Sequence, residues 1–345
     1  MLIYIILLLV LVINCCFENN KKIFYSSIFI LFIVAVLRGD DVDRDYKTYI
    51  SIYEYLINGD SYTIEPTFIL FTFISHAITG TPFLIFVIYA SLALYYKAKY
   101  IRYFSPYICL SLLLYYSNFY FVHELTQIRI GVASAIGFFS LKYLIEGRKN
   151  KFIAYVLIAT LFHFSMIVLL VSLLFDKNKI SNNFISSAFI LIVISYSLII
   201  LNVSPLDLLR YVPVSVIQEK LAIYKYQTAN GMVEAVNVIS ALQLIRIGAI
   251  ILIFCNAKKF DNNNSMVLLC KLYSLSPICL ALLSSLPAFA IRISELFSVA
   301  DIVVLPILAS YCKQKNVARF AVVVLSVLVL FMNLYHNEIV KGYHI

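Results

Sequence analysis

Apolar runs recur along the chain about every 20–25 residues, close to the length an α-helix needs to cross the hydrocarbon layer of a bilayer. They predict helices at roughly 2–17, 23–37, 81–96, 106–122, 128–145, 152–175, 184–202, 237–255, 265–286, 298–311 and 319–335. With no water in that layer the backbone has to pair within each segment, so these are helices rather than barrel strands of about 10 alternating residues. Residues 65–79 are also apolar, but the run is short, opening at Glu65-Pro66 and closing at Thr79-Gly80, and reads as an interfacial or half-inserted helix. The implied fold class is all-α. It is a polytopic membrane bundle of about 10–12 transmembrane helices, one integral membrane domain over 1–345, with outward loops at 38–65 and 203–236.

The segment 152–175 carries basic groups at both ends, Arg148, Lys149 and Lys151 before it and Lys177 and Lys179 after it. A single span would put the second group on the opposite face of the membrane. A hairpin of two half-helices broken near His163 keeps both on one face and makes the later loops alternate. Non-helical backbone at that depth is tolerated only where protein or a wet cavity covers it, so a break would itself mark a cavity.

Composition supports the membrane reading. The chain is 62% hydrophobic and 13% charged, against about 25% charged in an ordinary soluble domain. The net charge of +9 is explained by basic cytoplasmic loops rather than by nucleic acid. With the loop after the first helix placed inside, 17 basic and four acidic residues fall on the inner face, and 10 basic and 14 acidic residues elsewhere. The inner group includes Lys97, Lys99, Arg102 and Lys271. No basic residue precedes the first apolar run, while Lys21 and Lys22 follow it, the reverse of a secretory leader. This predicts a retained first helix, with both termini outside. The seven cysteines lack CxxC spacing and read as small membrane hydrophobes. There is no Trp, which leaves the 26 Tyr to form the interfacial belt. No inner loop exceeds about a dozen residues and no P-loop is present, so the work is expected outside or within the membrane, without ATP, metal or other cofactor.

Chemistry-bearing residues concentrate at the outer ends of the predicted helices. The stretch from Arg38 to Tyr49 holds Asp40, Asp41, Asp43, Arg44 and Asp45. If Asp45–Ile57 is helical, Tyr46, Tyr49 and Tyr53 share one face, able to stack on sugar rings or to lie among headgroups. A carboxylate held by an arginine is a plausible general base, so Asp43 and Asp45 are candidate catalytic groups. Gln127 and Arg129 stand where a turn enters an apolar helix. An arginine there costs about 2.5–3.5 kcal/mol at the bilayer centre on insertion scales, and its planar fork suits phosphate. His163 interrupts an apolar run, Arg246 lies deep in a predicted span, and Arg292 and Glu295 sit just outside a helix end. Each has a plainer reading: a solvated loop, snorkelling to the interface, or a satisfied core histidine. No HExxH or GxSxG pattern is present.

Three patterns resemble the EpsG / O-antigen polymerase (Wzy-like) family of bacterial polysaccharide enzymes. The first is Arg38-Gly39 followed by Asp45-Tyr46-Lys47-Thr48-Tyr49 and Ile64-Glu65-Pro66. The second is Gln127-Ile128-Arg129-Ile130-Gly131 with Leu161-Phe162-His163-Phe164-Ser165 after it. The third is Arg292-Ile293-Ser294-Glu295. The resemblance implies a GT-C-like glycosyltransferase that joins undecaprenyl-diphosphate-linked oligosaccharide repeats at the outer face of the bacterial inner membrane. A chain-length regulator and a flippase are candidate partners, besides membrane lipids. It further implies that Arg129 and Arg292 hold the diphosphate, and that Asp45 and His163 occupy the family's polar positions. Arg38, Tyr46, Tyr49, Glu65, Gln127, Arg246 and Glu295 complete the expected substrate-binding set, with Asp43 beside Asp45 and His163 as catalytic candidates. A flippase for a lipid-linked oligosaccharide is the competing function, although the two halves of the chain show no evident repeat.

Overall fold

The computed structural model describes residues 1–60, 62–201, 203 and 236–344; the expected loop at 203–236 lies almost wholly outside the described residues. The protein is 79% helical, with no strand among the described residues. It divides into two compact units, one formed by Met1–Leu173 with Asp301–Ile345 and the other by Leu174–Ala300.

In the first unit α1 is Leu2–Asn14, α2 Lys21–Val36, α3 Tyr46–Ile57, α4 Pro66–Thr79, α5 Phe83–Phe104 and α6 Ile108–Tyr115. The chain then continues as a π-helix over Tyr116–Thr126, followed by α7 Ile128–Ile145 and α8 Lys149–Phe162. Helix ends are set locally. Asn20 caps α2 by accepting the amides of Lys22 and Ile23. Pro66 occupies the first turn of α4, and Gly80, at φ 66°, closes it in the left-handed region. Helix α7 is the centre of the unit, packed along α5 and α8.

Helix α8 stops at Phe162. His163 is extended, and a 3-10 helix follows over Phe164–Leu174. Met166 and Leu169 then lie beside Gly137, midway along α7. Because α8 runs antiparallel to α7 from a short turn, the segment after His163 doubles back along the helix that α8 has just followed. The break expected near His163 is present.

In the second unit α9 is Asn182–Ile200, α10 Ala241–Cys255, α11 Asn264–Leu282 and α12 Pro287–Ser298. Here α11 is the buried element, packed on α9, α10 and α12, and its Lys271 donates to the Asp176 carbonyl. The first unit is completed by α13 (Asp301–Tyr311) and α14 (Lys315–Phe331). Among the described residues five helices are long and apolar enough to cross a membrane by themselves: Phe83–Phe104, Ile128–Ile145, Asn182–Ile200, Asn264–Leu282 and Lys315–His336. Shorter apolar helices, Pro66–Thr79 among them, make up the rest of this multi-pass bundle.

Several expectations need correction. Helix α5 runs two turns past its expected end at residue 96, so Lys97, Lys99 and Arg102 belong to a helix rather than to an inner loop. Lys97 is wholly buried and Lys271 nearly so, which removes both from the loop charge. His123, Glu124 and Thr126 are buried in the π-helix instead of forming an outward turn. Pro287–Ser298, which the apolar pattern leaves between the helices expected at 265–286 and 298–311, is helix α12.

A side chain at Gly131 would collide with the His123 backbone carbonyl, whereas one at Gly137 meets the flexible end of Met166. Gly131→Ala should therefore cost about 1–3 kcal/mol of stability through overpacking, and Gly137→Ala clearly less. Thermal unfolding of the detergent-purified variants reads both; equal losses would show that the π-helix is not wedged against α7.

Candidate functional site

Arg38 follows directly after α2 and is only 4% exposed. Its Nε donates to Asp43 Oδ2 at 2.7 Å, Nη1 to the Ala35 carbonyl at 2.5 Å, and Nη2 to the Leu125 carbonyl at 2.8 Å. The guanidinium sits over the rings of Phe86 and Tyr46, 4.8 and 5.4 Å from their centroids, and those two rings stack at 4.6 Å. The other oxygen of Asp43 accepts the amides of Asp45 and Tyr46, at 3.0 and 2.9 Å, and so starts α3. Both oxygens of Asp43 are engaged, and each arm of the Arg38 guanidinium has an acceptor. Together they organise the fold, with little capacity left for a substrate. The C-terminal segment covers this loop: Gly39 donates its amide to the His344 carbonyl at 2.8 Å, and Lys341 to that of Val42 at 2.8 Å.

Beside this clamp, four elements converge. Glu65 ends the loop before α4, Arg129 opens α7, Tyr49 projects from α3, and His163 occupies the break after α8. Arg129 Nη1 donates to Glu65 Oε2. His163 Nε2 lies 3.9 Å from the other oxygen, Oε1, beyond hydrogen-bonding range. His163 Nδ1 receives the Ser165 amide at 3.3 Å and contacts the Ser165 hydroxyl at 2.7 Å. An amide can only donate, so Nδ1 is the acceptor and a neutral imidazole carries its proton on Nε2, facing Glu65. Tyr49 is in hydrogen-bonding contact with Arg129, whose guanidinium lies 5.9 Å from the ring centroid. Burial pushes the Tyr49 phenol up to about 12 against the lowering effect of Arg129, so it stays a donor at neutral pH. Thr67 holds the neighbourhood together by donating to the Leu161 carbonyl at 2.9 Å, within reach of the Tyr89 hydroxyl. Among the described residues, Arg129 Nε and Gln127 Oε1 are buried without a hydrogen-bond partner. These two polar atoms lie two residues apart, at the cap and in the first turn of α7. Asp45 is half-buried at the start of α3, one turn before Tyr49.

Three further candidates belong to the second unit. On α10, Arg246 Nη1 donates to Gln243 Oε1 at 3.3 Å. On α12, Arg292 is exposed and Glu295 half-buried. No group of three or more His, Cys, Asp or Glu side chains is placed to hold a metal ion among the described residues.

One polar cluster was not foreseen. Lys97 Nζ lies 3.1 Å from Ser134 Oγ and 3.3 Å from His123 Nδ1, over the rings of Tyr115 and Phe119, while Tyr115 donates to Glu124 Oε1 at 2.5 Å. The signal available in the sequence was the continuation of apolar spacing beyond Lys97, through Ala98, Tyr100 and Ile101, which keeps that lysine inside a helix.

Arginine, carboxylate and imidazole thus meet at the end of α7 in an all-helical, multi-pass membrane protein. The chain belongs to the EpsG family, which it matches over residues 21–343. That family is associated with glycosyl transfer in polysaccharide biosynthesis. No curated protein and no solved structure matches the chain.

Removing Arg38 leaves Asp43 buried without its cation. Arg38→Ala should cost about 3–5 kcal/mol of stability. Arg129→Ala should cost much less, because the Arg129 side chain is 27% exposed. Thermal unfolding of both variants decides; similar losses would make Arg129 a structural group as well.

Proposed function

We propose that this protein is a polysaccharide polymerase, transferring a growing glycan from one undecaprenyl-diphosphate carrier to an incoming repeat unit on another, at the outer face of the bacterial inner membrane. The observation that carries the reading is the Glu65–Arg129 pair, with His163 Nε2 3.9 Å from the other Glu65 oxygen and Arg129 Nε unpartnered beside them. In the transfer, the acceptor hydroxyl oxygen bonds to the anomeric carbon of the donor glycan. The bond from that carbon to the diphosphate oxygen breaks, and its electron pair leaves with the diphosphate. Arg129 is suited to take the charge that develops there, because Nε and a fork nitrogen can bond two phosphate oxygens together. Glu65 is the carboxylate best placed to accept the hydroxyl proton once Arg129 turns to the diphosphate. His163, with its proton on Nε2 and facing Glu65, does not compete for that proton. Tyr49, in contact with Arg129, helps hold that guanidinium in place, while the Tyr46 ring is taken up by Phe86 and Arg38. This assigns base chemistry to Glu65 in place of Asp43, whose oxygens are both engaged, and leaves Asp45 at the entrance of α3.

The outward placement rests on charge. Arg38, Leu125 and the C-terminal segment meet at one end of the first unit. At the other end of α7 stand Lys142, Arg148, Lys149 and Lys151, as the positive-inside rule expects of an inner face.

Arg129→Ala should lower the rate of chain lengthening by about 10²–10³, the usual loss of one preorganised donor to a developing oxyanion. Glu65→Gln should do at least as much, and cells carrying either variant should display single-repeat surface glycan. Reconstituted protein given lipid-linked repeats should make longer chains with no ion gradient. Movement of repeats across the bilayer without lengthening would instead establish the flippase.

A further inference from the structure

A groove lies between α2 and α5, at the end of α5 away from the candidate site. Phe86 stacks beneath Arg38, whereas Lys99 and Arg102 stand 13 and 16 residues further along the same helix, which at 1.5 Å per residue is about 20 Å or more. The groove encloses about 390 Å³ and is walled by Tyr25, Phe29, Phe32 and Leu94, with Lys99 and Arg102 at one end. Three of its aromatic side chains, Tyr25, Phe29 and Tyr95, are exposed rather than packed into the protein. The two cations are held in place without being neutralised. Arg102 donates to the Tyr25 hydroxyl and lies 5.5 Å from that ring's centroid, and Lys99 sits 4.2 Å from the centroid of Tyr95. Neither makes an ion pair with a carboxylate among the described residues; Glu146, the acidic residue of the neighbouring turn, is taken up by Lys142 and Arg148.

We infer that this groove is a binding site for an anionic phospholipid, its acyl chain along the aromatic trough and its phosphate between Lys99 and Arg102. Charge complementarity decides the occupant. An apolar trough alone would take any lipid tail, but two uncompensated cations one helical turn apart, at the end of the trough, select a tail that ends in a phosphate. Arginine and lysine on one face give the phosphate a planar fork and a point charge together. The site lies at the membrane face opposite the candidate active site, so this inference stands whether or not the polymerase reading does.

The protein contains no Trp, so Phe29→Trp places a single tryptophan, excited selectively over tyrosine, inside the trough. The variant is reconstituted into phosphatidylcholine vesicles in which either brominated phosphatidylglycerol or brominated phosphatidylcholine is titrated as quencher. Quenching should reach its midpoint at roughly thirtyfold lower mole fraction of the anionic lipid, the preference that two basic side chains at about 1 kcal/mol each confer at a membrane surface. Leu328→Trp, exposed on α14, should show no preference. Adding Lys99→Gln and Arg102→Gln to the Phe29→Trp protein should bring the two midpoints together. Lys99→Arg with Arg102→Lys, which keeps both charges, should hold the preference. Equal midpoints for Phe29→Trp overturn the site, and so does a preference that survives loss of both charges. Relief of quenching by unbrominated polyprenyl phosphate at equimolar amounts would overturn the assignment to phospholipid in favour of the carrier lipid.

Discussion

The architecture of the first unit depends on how one guanidinium is satisfied. Arg38 stands at the end of an apolar helix, where an uncompensated charge costs several kcal/mol. Its compensation comes from three places far apart in the chain: the last turn of α2, Asp43 in the following loop, and the Leu125 carbonyl 87 residues on. Each bond fixes something beyond itself. Asp43, held by Arg38, presents its second oxygen to the first amides of α3 and so sets where Tyr46 and Tyr49 point. Leu125, held by Arg38, lies two residues before Gln127 and four before Arg129. The arginine with an unpartnered nitrogen is therefore indexed by the arginine whose nitrogens are all engaged.

The π-helix is the second half of that constraint. Five-residue hydrogen-bond spacing shifts the carbonyls at its end, and the Gln127 amide reaches back to Val122 at 2.6 Å. The turn is wide enough to need a glycine opposite it, and Gly131 provides the space against the His123 carbonyl. It also turns His123 and Glu124 inward, where Lys97, Ser134 and Tyr115 are available as partners. Buried charges persist in an apolar setting only when their partners are built in. This cluster does for the interior what the Arg38–Asp43 pair does for the end.

The sequence made the helices legible because apolar spacing and helix length are local properties. The break at His163 was also legible, from the basic residues that flank its segment on both sides. Arg129 and His163 stood out as polar residues within apolar runs, and Glu65 as the residue that opens one. Their mutual pairing did not, because 64 residues separate Glu65 from Arg129 and nothing in either segment encodes the other. Lys97 was misread for a related reason. A lysine near the end of an apolar run looks like a loop residue until its partners are known, and those lie 26 and 37 residues away on other helices. Asp43 and Arg38 looked like a base and a substrate cation. Burial and a full set of hydrogen bonds make them structural, and burial is invisible in a linear pattern of charges.

The chain break and the orientation of His163 are one feature. If α8 continued through residue 163, the Nδ1 atom would have no Ser165 amide turned toward it, because in an unbroken helix that amide bonds four residues back, to Leu161. Ending α8 at Phe162 frees the Leu161 carbonyl for Thr67 and the Ser165 amide for His163. It places the imidazole at the level of Arg129, where Glu65 can lie between them. The segment then returns along α7, so the irregular backbone at the turn is covered by protein, the condition under which such backbone is tolerated at membrane depth. A continuous span would satisfy the hydrocarbon equally well and would lose the orientation of the one imidazole at the site.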